Sequence, residues 1–340
     1  MGEGPSGPSE ASPFSRKPSP PLPMDDPNVL RRPTFHGSGG TLFGIHIVNV
    51  LLTLVTLGVY YFWARTRVRR YTFGQTEFHG DRFAYHGTGK ELLLGFLKAF
   101  LVFLLPVIAL SIVRDVLAVD PRVKGAANFL VSLLFFVFIP VAMVGARRYR
   151  LSRTSWRGVR FSFRGPAREF IGIFLKGTLL MGLTLGLYYP FFLTQRQAFM
   201  VSHAYFGGER FSFNGHGREL FGGFLLAIVL TLPTLGLCWV WFVARKRRFF
   251  WRHTRFGAAR FRSTVRGGAL LWLYLVNAVL LVTTLGLTWS WVRVRNIRFA
   301  FRCLDLQGAL DLERVRQEPQ FASTTGEGLA GFLDTGFDLG

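Results

Sequence analysis

The tripeptide Thr-Leu-Gly occurs at Thr56-Leu57-Gly58, Thr184-Leu185-Gly186, Thr234-Leu235-Gly236 and Thr284-Leu285-Gly286, the last three at a spacing of 50 residues. Its surroundings recur with it. Fifteen residues before three of the threonines stand Thr41, Glu169 and Glu219, and seven residues after all four come Trp63, Phe191, Trp241 and Trp291. Eleven and fourteen residues after, three copies carry paired arginines: Arg67/Arg70, Arg245/Arg248 and Arg295/Arg298. An aromatic stands fifteen residues after the threonine in all four copies (Tyr71, Phe199, Phe249, Phe299). Apolar helix, aromatic belt, then basic turn is the order of media a chain meets on leaving a bilayer.

Half of the 340 residues are hydrophobic, with 36 Phe among them, although Lys and Arg number 41. The apolar residues gather in six blocks, about 41–63, 92–113, 127–145, 170–194, 219–244 and 268–292. Each is long enough for one helical crossing, and two crossings would need about 40 residues. Pro106, Pro140, Pro190 and Pro233 inside blocks predict kinks that neighbouring helices accommodate. Gly172, Gly182, Gly186, Gly222 and Gly223 allow close approach of helices.

After the basic turn a second element recurs. The first copy is Thr76-x-Phe78-x-Gly80-x-Arg82-Phe83-x-Tyr85-x-Gly87, closing on Glu91. The second keeps Thr154, Trp156, Gly158, Arg160, Phe161, Phe163, Gly165 and Glu169. The third keeps Phe206, Gly208, Arg210, Phe211, Phe213, Gly215 and Glu219, and the fourth is reduced to Thr254, Phe256, Arg260 and Phe261. Alternating aromatic and polar residues around a glycine turn predict short β-hairpins. The closing glutamate suits the positive end of the next helix. A lone hairpin is marginal in water, so these should lean on the membrane surface, on helix ends or on one another.

The net charge of +22 is uneven. Residues 1–33 sum to zero and 304–340 to −5, leaving +27 beside the apolar blocks. Bases flanking spans meet anionic headgroups and set orientation. A nucleic-acid domain would need a soluble face for its basic stripe, so DNA and RNA are set aside as partners. Cys238 and Cys303 have no CxxC spacing, which excludes a disulfide scaffold and a zinc cluster. Residues 1–33 hold nine of the 16 prolines and no apolar core of a signal peptide, and predict a disordered lead-in. Residues 34–303 form the repeat-built membrane domain, and 304–340 an acidic, mostly disordered tail.

Lys and Arg alternate between loops. Segments 64–91, 146–169 and 245–267 hold 23, while 114–126 and 195–219 hold six. Single crossings with both termini outside satisfy that alternation, although they place copies of one hairpin on opposite faces. Inverted repeats would reconcile the two; blocks that bend back at Thr-Leu-Gly are the other solution.

Charged residues inside a span are functional candidates. Lys98 and Lys176 stand seven residues after Glu91 and Glu169, where they could meet an anionic solute or snorkel to the headgroups. His46 could relay protons or simply pack. Arg67, Arg70, Arg245, Arg248, Arg295 and Arg298 could clamp a phosphate bidentately or serve as topological anchors. Arg82, Arg160, Arg210 and Arg260, beside Phe83, Phe161 and Phe211, hold a fixed place in the hairpin motif. No HExxH, GxSxG, Walker loop or His/Cys ligand set is present, so no enzyme, metal or cofactor is expected.

The Thr-Leu-Gly helix exits, the hairpin motif and the tail Gly326-Glu327-Gly328-Leu329-Ala330 resemble the YjgN family of bacterial inner-membrane proteins, a domain of unknown function. The resemblance covers about residues 34–337, departing at Tyr274–Trp291 and in the fourth hairpin. It implies an inner-membrane location and supplies no activity. The expected fold is an all-α polytopic membrane bundle of about six transmembrane helices in repeats of about 50 residues, with hairpins in the loops. The expected function is a non-enzymatic envelope protein whose basic loops contact lipid headgroups or a partner, the alternative being a transporter or channel for a small anionic solute.

Overall fold

A computed structural model describes residues 31–112, 114–115, 120–308 and 315. The expected disordered segments, 1–33 and 304–340, lie outside these residues apart from 31–33, 304–308 and 315. The chain runs from β1 (Thr34–Phe35) into α1 (Gly39–Val55), α2 (Tyr61–Gly74), β2 (Thr76–Phe78) and β3 (Asp81–Tyr85). A longer pair follows: α3 (Gly89–Ala99), a π-helical turn at Phe100–Leu104 and α4 (Leu105–Ile112) lead out, and α5 (Pro121–Ser152) leads back to β4 (Thr154–Trp156) and β5 (Val159–Phe163). Then come α6 (Ala167–Leu183), α7 (Tyr189–Ser202), β6 (Ala204–Phe206), β7 (Glu209–Phe213), α8 (Gly217–Val229), α9 (Cys238–Arg252), β8 (Thr254–Phe256) and β9 (Ala259–Ser263). The chain closes with α10 (Gly267–Thr283), α11 (Trp289–Arg302) and β10 (Leu304–Gln307).

Thr-Leu-Gly stops the helix. After α6, the Thr184 Oγ1 donates to the Leu180 carbonyl at 2.6 Å and accepts from the Tyr188 amide at 3.0 Å, so one hydroxyl serves both helix ends. Leu185 is left-handed at φ +50° and Gly186 follows at +91°. The Gly186 amide reaches back to the Met181 carbonyl at 2.8 Å, the six-to-one bond of a Schellman stop. Gly58, Gly236 and Gly286 repeat it onto the Thr53, Thr231 and Leu281 carbonyls at 2.7, 2.8 and 2.7 Å. Blocks 41–63, 170–194, 219–244 and 268–292 are therefore helical hairpins that turn back.

The expectation of six crossings is corrected. Among the described residues, two segments are long and apolar enough to cross a membrane, Gly89–Ile112 and Pro121–Ser152. At 1.5 Å per residue the first extends about 36 Å, whereas α1 and α10, with 17 residues each, end at the turn. The all-α expectation is corrected too. The ten strands form one antiparallel sheet in chain order, so copies of the hairpin cannot lie on opposite faces of a bilayer.

The sheet is built by repeating one register. Phe83 stands opposite Trp156, Phe161 opposite Phe206, Phe211 opposite Phe256 and Phe261 opposite Leu306. These aromatics fill the inside, with ring centroids 4.7 Å apart for both Phe161–Phe206 and Phe211–Phe256, in the range of favourable aromatic pairs. Val315 is buried in the same cluster. Arg31 bridges to Leu306, bringing the start of the described chain onto the last strand. The helices close likewise, α11 packing on α1. The bridge at Arg31, three residues before β1, and the α11–α1 packing thus bring the two ends of the sheet and of the helix series together.

The aromatic seven residues after each threonine locks neighbours together. A Cβ on Gly267, the first residue of α10, would fall 2.4 Å from the Trp241 ring, and one on Gly39 would fall 2.3 Å from Trp291. Glycine there lets an indole lie on the next helix, and the Trp291–Gly39 contact is part of the closure.

Candidate functional site

Two basic surfaces emerge from this scaffold. The outer one lies on the second helix of each hairpin. Arg67, Arg70, Arg245, Arg248 and Arg298 are exposed and Arg295 is half-buried. Arg248 donates to the Val265 carbonyl and Arg298 to the Gly37 carbonyl at 2.8 Å. Arg148, at the equivalent place on α5, donates to Gly165 at 2.9 Å. These guanidinium groups tie a helix to the loop that leads to the next one. Arg67, Arg70 and Arg245 reach solvent. Arg82, Arg160, Arg210 and Arg260 are exposed on the strand face opposite their phenylalanines, and the Arg210 Nε donates to the Ser202 carbonyl.

Above this belt the surface is oily. Leu57, Leu185, Leu235 and Leu285, at the hairpin tips, are 93–95% exposed. Leu54, Val55, Leu183, Val229, Leu232 and Val282 continue the apolar surface beside them. Exposed apolar surface this continuous marks contact with a partner or a membrane. Lys98 and Lys176 are exposed among such residues on α3 and α6. His46 bonds the Leu42 carbonyl at 2.8 Å and lies 3.1 Å from the Ser290 hydroxyl.

The inner surface is a chamber of about 290 Å³ between α5, α7 and α9. Its polar lining is Arg147, Gln197, Arg247 and Thr254, and its floor is Phe161, Phe211 and Phe261 from the sheet. Among the described residues that line it there is no carboxylate. The Arg247 Nε is buried with no hydrogen-bond partner among the described residues, while its NH2 lies 3.5 Å from the Tyr274 hydroxyl. Next to it, Lys246 is held below the ordinary lysine range, first by burial and then by the charges of Arg247 and Arg196; burial also lowers Arg196.

Sequence reasoning reached Phe161 and Phe211 but missed Arg147, Gln197 and Arg247. Their signal was present: each stands seven residues before its strand, at the repeat spacing of 50. Lys98 and Lys176 are not in the chamber lining.

A family model described as "Bacterial protein of unknown function (DUF898)" matches residues 31–242 and 224–332. Inner membrane protein YjgN of Escherichia coli (strain K12) is 35% identical over 152 residues, which are 45% of this chain and 36% of that protein. Inner membrane protein YjgN of Salmonella typhimurium is 32% identical over 156 residues, 45% of this chain and 37% of its own. Each match therefore spans little more than a third of the curated relative. No solved structure matches.

Proposed function

Because the chain belongs to the bacterial DUF898 family of unknown function, we propose that it shares the inner-membrane location named for its YjgN relatives and acts there as a non-enzymatic envelope protein. The pair formed by α3–α4 and α5 crosses the bilayer, and the shorter helical hairpins dip in from the side of the sheet. Arg67, Arg70 and Arg245 then meet anionic headgroups, each worth about 1 kcal/mol near the surface. The observation that carries this reading is the set of four leucines at the hairpin tips, each more than nine-tenths exposed and one helix length from the sheet. Water would penalise that arrangement; hydrocarbon rewards it.

A conduit for small anions is the second reading, favoured by the cation-lined chamber. Its floor of three phenylalanines counts against a through-path.

Native mass spectrometry from nanodiscs of mixed anionic and zwitterionic lipid tests the headgroup reading. Wild type should retain anionic lipid preferentially. The Arg67→Gln, Arg70→Gln, Arg245→Gln variant should lose that preference several-fold. Equal retention of both lipid classes by wild type would overturn it.

A further inference from the structure

Each helical hairpin changes from oily to polar at one level. Eleven residues past the four threonines stand Arg67, Gln195, Arg245 and Arg295. The second helix of each hairpin starts four or five residues past its threonine, so these polar groups lie about 9–11 Å from the tip at 1.5 Å per residue. The first helices agree. Lys176, eight residues before Thr184, is exposed. Asn49 and Asn277, seven residues before Thr56 and Thr284, are buried within their hairpins. The Asn49 amide donates to the Ala64 carbonyl at 3.2 Å and the Asn277 amide to the Asn296 side-chain oxygen at 2.7 Å, fixing which residues of the two helices stand level. Beyond that level the hairpins are apolar: the tip leucines and their neighbours Leu54, Leu183, Leu232 and Val282 are 69–95% exposed.

A hydrocarbon core is about 30 Å thick, so an apolar cap of about 10 Å ends inside the nearer leaflet. The hairpins stand in one series with the long pair, α2 packing on α3 and α5 on α6, and their strands share one sheet. Eight hairpin helices and the two long segments therefore enter the sheet-side leaflet, while among the described residues the two long segments alone reach the other. At a helix diameter of about 10 Å, the excess in one leaflet is about 600 Å².

We infer that the four hairpins form a wedge confined to one leaflet, and that the protein gathers where the bilayer is convex on its sheet side. The acyl chains of that leaflet cover the tips. Two features select lipid over a second copy of the chain: the polar level recurs in all four hairpins, and Arg67, Lys176 and Arg245 are exposed at that level, where headgroup phosphates lie. Apolar surface inserted at this depth responds to curvature, because a convex leaflet opens gaps between its chains that inserted side chains fill. Such a wedge presupposes the bilayer placement proposed above and adds to it a preferred membrane shape.

Thin tubes pulled outward from giant vesicles test this with the full chain, Cys238 and Cys303 replaced by Ala and a dye on Gly208→Cys. Dye coupled from outside reports molecules whose sheet faces out. Their density per lipid should rise by about twofold or more from vesicle to tube, and molecules of the reverse orientation, labelled from the lumen, should be depleted. The Leu57→Asn, Leu185→Asn, Leu235→Asn, Leu285→Asn variant, whose new residue tolerates the left-handed backbone, should approach equal densities in both orientations. Equal density in tube and vesicle for the leucine-tipped chain would overturn the wedge, and so would equal enrichment of both orientations. Bimane on Leu185→Cys separates that failure from failure of the bilayer placement. Quenching by lipids brominated in mid-chain, with no sorting into tubes, refutes the wedge alone. Quenching by aqueous iodide in place of bromolipid refutes both, and cross-linking of Leu185→Cys to a second copy in place of lipid quenching assigns the tips to self-association and overturns the wedge.

Discussion

Leucine at φ near +50° is costly, about 1–2 kcal/mol against the right-handed conformation, yet Leu57, Leu185, Leu235 and Leu285 all adopt it at 48–50°. The glycine that follows each one makes the turn possible, with φ between +81° and +93°. A Cβ on Gly186 would meet nothing within 4 Å, so substitution there probes backbone conformation alone. Gly186→Ala should lower stability by about 1–2 kcal/mol, read as a lower midpoint of thermal unfolding in detergent. An unchanged midpoint would mean the turn relaxes without strain. The hydroxyl of the tripeptide was legible only as a recurring residue. Its double duty, closing one helix and opening the next, needs the two helix ends within one hydrogen bond of each other.

At the level of elements, hydropathy overestimated the crossings because it averages over a helix stop. A window of about 20 apolar residues cannot tell one helix from two halves joined by a Schellman turn, and the Leu-Gly pair within the block carried the distinguishing signal. The alternation of basic loops misled for a related reason. Segment 195–219 is poor in charge because α7 carries Gln195 and Gln197 where α9 carries Arg245 and Arg247, not because it lies on another side. The hairpins were legible, since their period of two and glycine turns are local properties. In a chain with Cys238 and Cys303 replaced by Ala, Arg157→Cys, Gly208→Cys and Ala258→Cys should all label from one face of sealed vesicles. Val123→Cys, at the far end of the long helical pair, should label from the other. Labelling of 157 and 208 from opposite faces would contradict the shared sheet.

For the molecule as a whole, closure is the decisive feature. It brings Arg31 to Leu306 and Trp291 to Gly39, and it buries Asp305 at 3% exposure beside the half-exposed Arg32. Asp305→Ala removes the acceptor of that pair and should cost about 1–3 kcal/mol, seen as a lower unfolding midpoint; wild-type stability would show that the β10 closure needs no anchor there. The chamber depends on the same architecture, because Arg147, Gln197 and Arg247 converge only when three successive units stand side by side. By itself the amino-acid sequence determined the repeating unit, its turns and strands, and its oily and basic faces, since these follow from spacings of a few residues and from side-chain chemistry. Only the tertiary structure decided that the units bend back, share one sheet and enclose a cationic chamber. Those features depend on which copy packs against which, across separations of up to 275 residues between Arg31 and Leu306, and local periodicity does not encode partners so far apart.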